Sequence, residues 1–175
     1  MANQPTYEQK ICPSATGIDV KQWVAGLAHP LVFTNGCFDI LHRGHISYLQ
    51  SAARLGASLV VGLNSDSSAQ RLDKDLSKGL SKDLSKGPNR PINQLDDRMA
   101  LVAALASVDA VVWFDQDTPM QLIMAIKPEV LVKGGDWAVE KIVGGAEVIS
   151  WGGAVHSIEF KFQRSTTQLI ERIRR

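Results

Sequence analysis

The chain reads as a single α/β domain, a doubly wound parallel sheet with helices on both faces. Two observations predict it. Short apolar runs alternate with stretches of helical spacing, the layout of strand–helix units on a parallel sheet. A chain of 175 residues with 45% hydrophobic residues is large enough to bury one good core and too short for a second catalytic domain.

The elements follow in order. Residues Met1 to Pro30 precede the first strand as an N-terminal helical extension. A helix is predicted over Ile18–Ala28, with Asp19 in its first turn and Trp23 and Leu27 on one face for packing. The domain proper then runs over 31–175. Leu31–Asn35 is a buried strand, Gly36 marks a sharp turn, and Ile46, Leu49, Ala53 and Leu55 give helical spacing over 44–55. Ser58–Asn64 is the second strand, followed by a short helix after Asp66 and a long one over Leu95–Ser107. Ala110–Phe114 is the third strand, Pro119–Ile126 a helix stopped before Pro128, and Val130–Lys133 the fourth strand. Glu147–Ser150 and Val155–Phe160 read as further strands, and Thr166–Arg174 as the last helix. Right-handed crossovers put every strand's carboxyl end on one edge, where a Rossmann-like sheet binds its ligand at the reversal of strand order.

Within this frame 73–91 stands out as an inserted basic loop. Lys74-Asp75-Leu76-Ser77-Lys78-Gly79 recurs as Lys82-Asp83-Leu84-Ser85-Lys86-Gly87, a tandem duplication of eight residues. Leucines and lysines recur every four positions, but Gly79 interrupts a helix at about 1 kcal/mol relative to alanine. Two readings stand: a lid that brings a lysine to an anion, or a solvated insertion.

Composition excludes several classes. A net charge of +1 with interspersed signs gives no footprint for nucleic acid, so any anion is handled locally, which favours a small phosphorylated substrate. No apolar leader and no run of membrane-spanning length occur, so a cytoplasmic protein without membrane partners is expected. The two cysteines, Cys12 and Cys37, make neither a disulfide framework nor a metal-ligand cluster, and no protein metal site is expected.

The most informative stretch is Val32-Phe33-Thr34-Asn35-Gly36-Cys37-Phe38-Asp39-Ile40-Leu41-His42-Arg43-Gly44-His45. A strand ends in a glycine turn and opens a helix carrying two histidines near its start. Helix N-termini offer unpaired N–H groups and the positive end of a dipole, a seat for phosphate oxygens. His42 and His45 add donors there. Cys37 lies in the same turn, either as a thiol activated by the helix dipole or as a compact residue that admits a ligand.

These residues resemble the signature of the HxGH nucleotidylyltransferases, a strand, a G-x-F-D turn, then H-x-G-H. Three further segments extend the likeness. Lys133-Gly134-Gly135-Asp136-Trp137 ends the fourth strand with a glycine pair that admits a nucleobase edge, a carboxylate and an indole. Arg164-Ser165-Thr166-Thr167 resembles the second signature of that superfamily, with three hydroxyls at a helix start. Pro91 to Arg98 parallels a third element, in which Arg98 is a phosphate ligand or an exposed helix arginine. Asn64 and Asp66 correspond to an acceptor-contacting turn, although Asp66 would serve equally as a helix cap.

The resemblance implies catalytic roles for His42, His45 and Lys86. It implies nucleotide contacts by Thr34, Asn35, Gly36, Cys37, Phe38, the histidines, Lys133 to Trp137, and Ser165, Thr166 and Thr167. Substrate contacts fall to Asp39, Asn64, Asp66 and Arg98, and whether Lys133 or Lys86 holds the leaving pyrophosphate stays open. The phrases around Phe33, Arg98, Asp117 and Lys133 are most similar to the adenylyltransferases that make ADP-heptose. That likeness implies transfer of AMP from ATP, with Mg²⁺, to D-glycero-D-manno-heptose 1-phosphate, in a homo-oligomer. The alternatives are a cytidylyltransferase for glycerol 3-phosphate or a similar small phosphate, and a silent nucleotide-binding module.

Overall fold

The computed structural model describes residues 5–14, 17–74, 90–162 and 166–173. Five parallel strands, β1 (Leu31–Gly36), β2 (Ser58–Asn64), β3 (Ala110–Phe114), β4 (Val130–Gly134) and β5 (Ala154–Ile158), form one sheet in the order β3-β2-β1-β4-β5. The described helices are α1 (Gly17–Val24), α2 (Arg43–Ala53), α3 (Asp66–Lys74), α4 (Leu95–Ala103), α5 (Met120–Ile126), α6 (Gly145–Ser150) and α7 (Thr166–Ile173). The chain runs outward from β1 to β3, then returns to place β4 on the other side of β1. The order therefore reverses between β1 and β4, and a crevice opens there at the carboxyl ends.

Strand periodicity sorts the core into two layers. Leu31, Phe33, Val60, Val112 and Leu131 meet Val20 and Val24 of α1, Leu122 and Ile123 of α5, and Val148 of α6. Val32, Leu59, Val61, Val111 and Val132 meet Tyr48 and Leu49 of α2 and Met99 and Val102 of α4. Successive residues of each strand thus feed opposite faces, as a pleated strand requires.

The segment ahead of β1 belongs to this core. Ile11 bridges to Val111, the Cys12 N–H donates to the Val111 carbonyl at 2.8 Å, and Cys12 is buried. Lys10 Nζ donates to the Val108 carbonyl at 2.8 Å. The free edge of β3 is thereby covered, which removes a template for unwanted strand pairing.

Two expectations are corrected. Residues 147–150 are helical in α6, where the Val148 N–H reaches the Gly144 carbonyl at 3.0 Å and Val148 is buried while Ile149 faces solvent. Four residues with two apolar neighbours are too few to separate strand from helix. The helix expected to reach Ser107 ends at Ala103, because Leu105 N–H turns back to the Val102 carbonyl in a tighter loop. Among the described residues no helix is long and apolar enough to cross a membrane.

Candidate active site

The turn after β1 is shaped by one aromatic ring. Phe38 adopts φ 49°, and a Cβ on Gly36 would lie 3.0 Å from its ring, so Gly36 is the residue that lets the chain fold back. Phe38 is buried, and its ring meets His45 edge-on at 5.3 Å.

His42 is the N-cap of α2, with its Nδ1 accepting the Gly44 N–H at 3.1 Å. That bond makes Nδ1 the acceptor and leaves Nε2 to carry the proton of the neutral ring. Gly44 is required by the same geometry, since a Cβ there would sit 2.9 Å from the imidazole and 3.2 Å from the Phe162 carbonyl. One turn on, the His45 ring stacks against His42 with centroids 3.8 Å apart and planes 16° from parallel.

Burial pushes both rings toward their neutral forms. His45 is lowered to about 4, first by desolvation and then by the neighbouring His42, whose own value is lowered by burial. His45 Nδ1 is buried without a hydrogen-bond partner among the described residues. The free site thus holds two neutral rings over a helix N-terminus, polarity without fixed charge.

Beneath them, Thr34 Oγ1 lies 2.5 Å from the Tyr48 hydroxyl, which donates to the Val132 carbonyl at 3.3 Å. Tyr48 therefore pins the ends of β1 and β4 to α2, and burial pushes its phenol above the ordinary range. Gly44 stands in the H-x-G-H motif, whereas Tyr48 and the Phe160 ring, which tilts against Tyr48 at 5.5 Å, belong to no motif of the sequence.

On the β4 side, Lys133 is half-buried and its Nζ lies 3.5 Å from Asn35 Oδ1. Gly134 has the Phe160 ring 2.7 Å from its missing Cβ position. Gly135 has φ +112°, and Ser157 fixes the turn by donating to the Gly135 carbonyl at 2.6 Å and accepting the Trp137 N–H at 3.0 Å. Asp136 and Trp137 are exposed there, with the indole N–H on the Gly134 carbonyl at 3.1 Å. Thr166, at the start of α7, donates to the Ile40 carbonyl at 3.5 Å, which brings that helix N-terminus to the same turn. Lys86, Ser165 and the side chain of Thr167 lie outside the described residues.

Of the four residues expected at the substrate, Arg98, Asp39 and Asn64 are buried and Asp66 is partly exposed. Arg98 is fully buried and donates to the carbonyls of Cys37 at 2.7 Å, Asn64 at 2.8 Å and Asn93 at 3.0 Å, and to Asp66 Oδ1 at 2.7 Å. Its donors are spent on protein, so Arg98 is neither an exposed helix arginine nor open to a phosphate. Asp39 is buried too: Oδ1 accepts the N–H groups of Ile92 and Asn93, each at 2.9 Å, and Oδ2 pairs with Arg90 Nε at 2.9 Å. Asn64 is buried and donates to Ser68 Oγ at 2.9 Å, while Asp66 keeps partial exposure at the start of α3. Among the described residues no group of three His, Cys, Asp or Glu side chains converges as a metal cage would require.

Comparison with known proteins is consistent with this geometry. Residues 33–172 match the model of the cytidylyltransferase-like family. The chain is 51% identical to D-beta-D-heptose 1-phosphate adenylyltransferase of Bordetella bronchiseptica, over 85% of this chain and 84% of that protein. It is 51% identical to the bifunctional protein HldE of Alcanivorax borkumensis over 82% of this chain, but spans only 28% of that longer protein. A lipopolysaccharide core biosynthesis protein from Thermoplasma volcanium superposes with a TM-score of 0.55 at 27% identity, covering 79% of this chain and all of its own. Pantothenate synthetase of Thermus thermophilus shares the fold, with a TM-score of 0.54 at 15% identity, over 83% of this chain and 60% of that one.

Proposed function

This chain belongs to the cytidylyltransferase-like family and is a nucleotidyltransferase, and we propose that it transfers AMP from ATP to D-glycero-D-manno-heptose 1-phosphate, releasing pyrophosphate and ADP-heptose. The observation that carries the chemistry is the stacked His42–His45 pair at the N-terminus of α2, above the point where strand order reverses. The observation that supports the substrate is 51% identity to a heptose 1-phosphate adenylyltransferase across most of both chains.

The reaction needs little covalent help. A sugar 1-phosphate has a second pKa near 6, so at neutral pH it is largely a dianion and needs no general base. One of its oxygens attacks the α-phosphorus of ATP in line. The new P–O bond forms as the bond to the β-phosphate oxygen breaks, and the electron pair leaves with pyrophosphate. Catalysis is then positioning plus neutralisation of the charge that gathers on the leaving group. His42 donates from Nε2, the proton-bearing nitrogen left free by the Gly44 contact. His45 lies one turn along α2 to take the neighbouring phosphate. The α7 N-terminus with Ser165, Thr166 and Thr167 holds the far end of the triphosphate, together with Lys86.

Trp137 and the Gly134–Gly135 pair border the nucleobase, with Asp136 accepting from a base amine or ribose hydroxyl. Asp66, partly exposed, faces the acceptor with the buried Asn64 behind it, while Asp39 and Arg98 act by holding the turn. Magnesium enters with ATP as part of the substrate, carried on phosphate oxygens. The test is pyrophosphate release by the purified chain with each of the four nucleoside triphosphates and a panel of sugar 1-phosphates. ATP with the heptose phosphate should dominate; preference for CTP with glycerol 3-phosphate would overturn the assignment.

A further inference from the structure

Any phosphate-to-phosphate transfer has a problem the histidines do not solve. Two anionic phosphates must approach within bonding distance, and neutral imidazoles bring no formal charge to offset that repulsion. Three described arginines near this edge are otherwise engaged. Arg98 is spent on carbonyls and Asp66, Arg90 is paired with Asp39, and the Arg43 guanidinium lies 3.8 Å over the Phe162 ring on the outside of α2.

Lys133 is different. Its one hydrogen-bond partner among the described residues is Asn35 Oδ1, at the limit of hydrogen-bond distance, and no described carboxylate pairs with it. Desolvation pulls its ammonium below the ordinary lysine value, the mark of a charge that burial leaves uncompensated. Its position is also separate from the histidines. In β1 and β4 the residues Thr34 and Val132 face α2, so the alternation sets Asn35 and Lys133 toward the opposite layer, that of α5 and α6. The ammonium thus lies beside Asn35, on the face of the sheet away from α2 and its histidines.

We infer that Lys133, steadied by Asn35, is the seat of the acceptor's phosphate monoester, a subsite distinct from the polyphosphate seat on α2. This deepens the adenylyltransferase reading and rests on it. Lys133 neutralises the attacking dianion and sets its oxygen in line with the α-phosphorus. Burying an ammonium that has no carboxylate partner among the described residues costs the empty protein stability, and the acceptor's phosphate relieves that cost.

The test is Lys133→Met in the full chain, with Lys133→Gln as a second variant should the first not fold. KM for the heptose 1-phosphate should rise at least tenfold while KM for ATP and the Tm shift produced by ATP alone stay within twofold. The Tm of the empty variant should rise, an outcome that a purely structural lysine would reverse. A rise in KM for ATP with the acceptor KM unmoved would place Lys133 on the nucleotide and overturn the inference, as would a lower Tm with both constants unchanged. Should wild type release no pyrophosphate from any pair, the adenylyltransferase reading falls. The subsite is then judged by inorganic phosphate, which should raise the Tm of wild type and His45→Asn but not of Lys133→Met. An equal response of all three would overturn it.

Discussion

Two clusters of polar residues flank the same turn and do opposite things. Around Arg98 and Asp39, both buried, the polar atoms are turned onto the protein: Arg98 is spent on three carbonyls and Asp66, Asp39 Oδ1 on two N–H groups, and Asp39 Oδ2 on its ion pair with Arg90, whose buried Nη1 alone has no described partner. Around His42 and His45 the polar atoms are left over: one ring keeps its Nε2 proton free, and the other has a buried nitrogen with no described partner. The first cluster fixes where the backbone of Cys37 to Asp39 lies, and the second uses that backbone to meet a ligand. Satisfaction inside the protein separates groups that hold from groups that react.

The sharpest way to break the contrast is Arg98→Met. Removing the guanidinium orphans three carbonyls and the Asp66 carboxylate, at a cost of about 3–5 kcal/mol in stability, to be read from urea unfolding. If the variant kept wild-type stability and lost only activity, Arg98 would belong to the reacting group instead. Next comes His42→Asn or His45→Asn, each expected to cut kcat by about 10²–10³ while leaving Tm at or above wild type. Turnover near normal in a folded double variant would remove the histidines from the chemistry.

Acid sharpens the comparison further. His45 is neutral when folded down to about pH 4 and charged in the unfolded chain below its ordinary value of 6.5. Between those limits the unfolded state binds more protons, so stability falls as pH drops through that window, by about 2–3 kcal/mol once partial exposure is discounted. His45→Asn should flatten that part of the pH–stability curve, and an unchanged slope would reject the assignment. The smallest effect is expected for Asp39→Asn, which keeps an acceptor for the two N–H groups but loses the charge opposite Arg90, about 1–2 kcal/mol. Its activity loss should follow its stability loss, in contrast to the histidines.

The same contrast explains what could be read in advance. Strands β2 and β3 have the bounds the sequence predicts, because continuous apolar runs closed by Asn64 or followed by Asp115 leave no competing period. The histidine pair was visible as well, since its chemistry lies in two side chains three residues apart. Arg98 was visible as a cation near a helix start, but its role was not. Three of its acceptors are main-chain carbonyls from separate segments, and a carbonyl has no letter in the sequence. The same holds for Asp39, whose partners Ile92 and Asn93 contribute only backbone N–H groups. The 147–150 segment failed for another reason: the helix begins at Gly145, ahead of the four apolar-patterned residues, and the burial that seats Val148 in it comes from the tertiary packing.

Asp39 also bears on how the chain tolerated its eight-residue copy between α3 and α4. Whatever the path from Lys74 onward, the strand of chain that comes back is moored at Arg90, Ile92 and Asn93. Doubling the length of a connection whose ends are held adds in general only about 0.6 kcal/mol of closure cost, so the mooring lets added length here be tolerated cheaply. Further copying of the repeat can therefore vary that connection while the turn after β1 stays where Asp39 holds it.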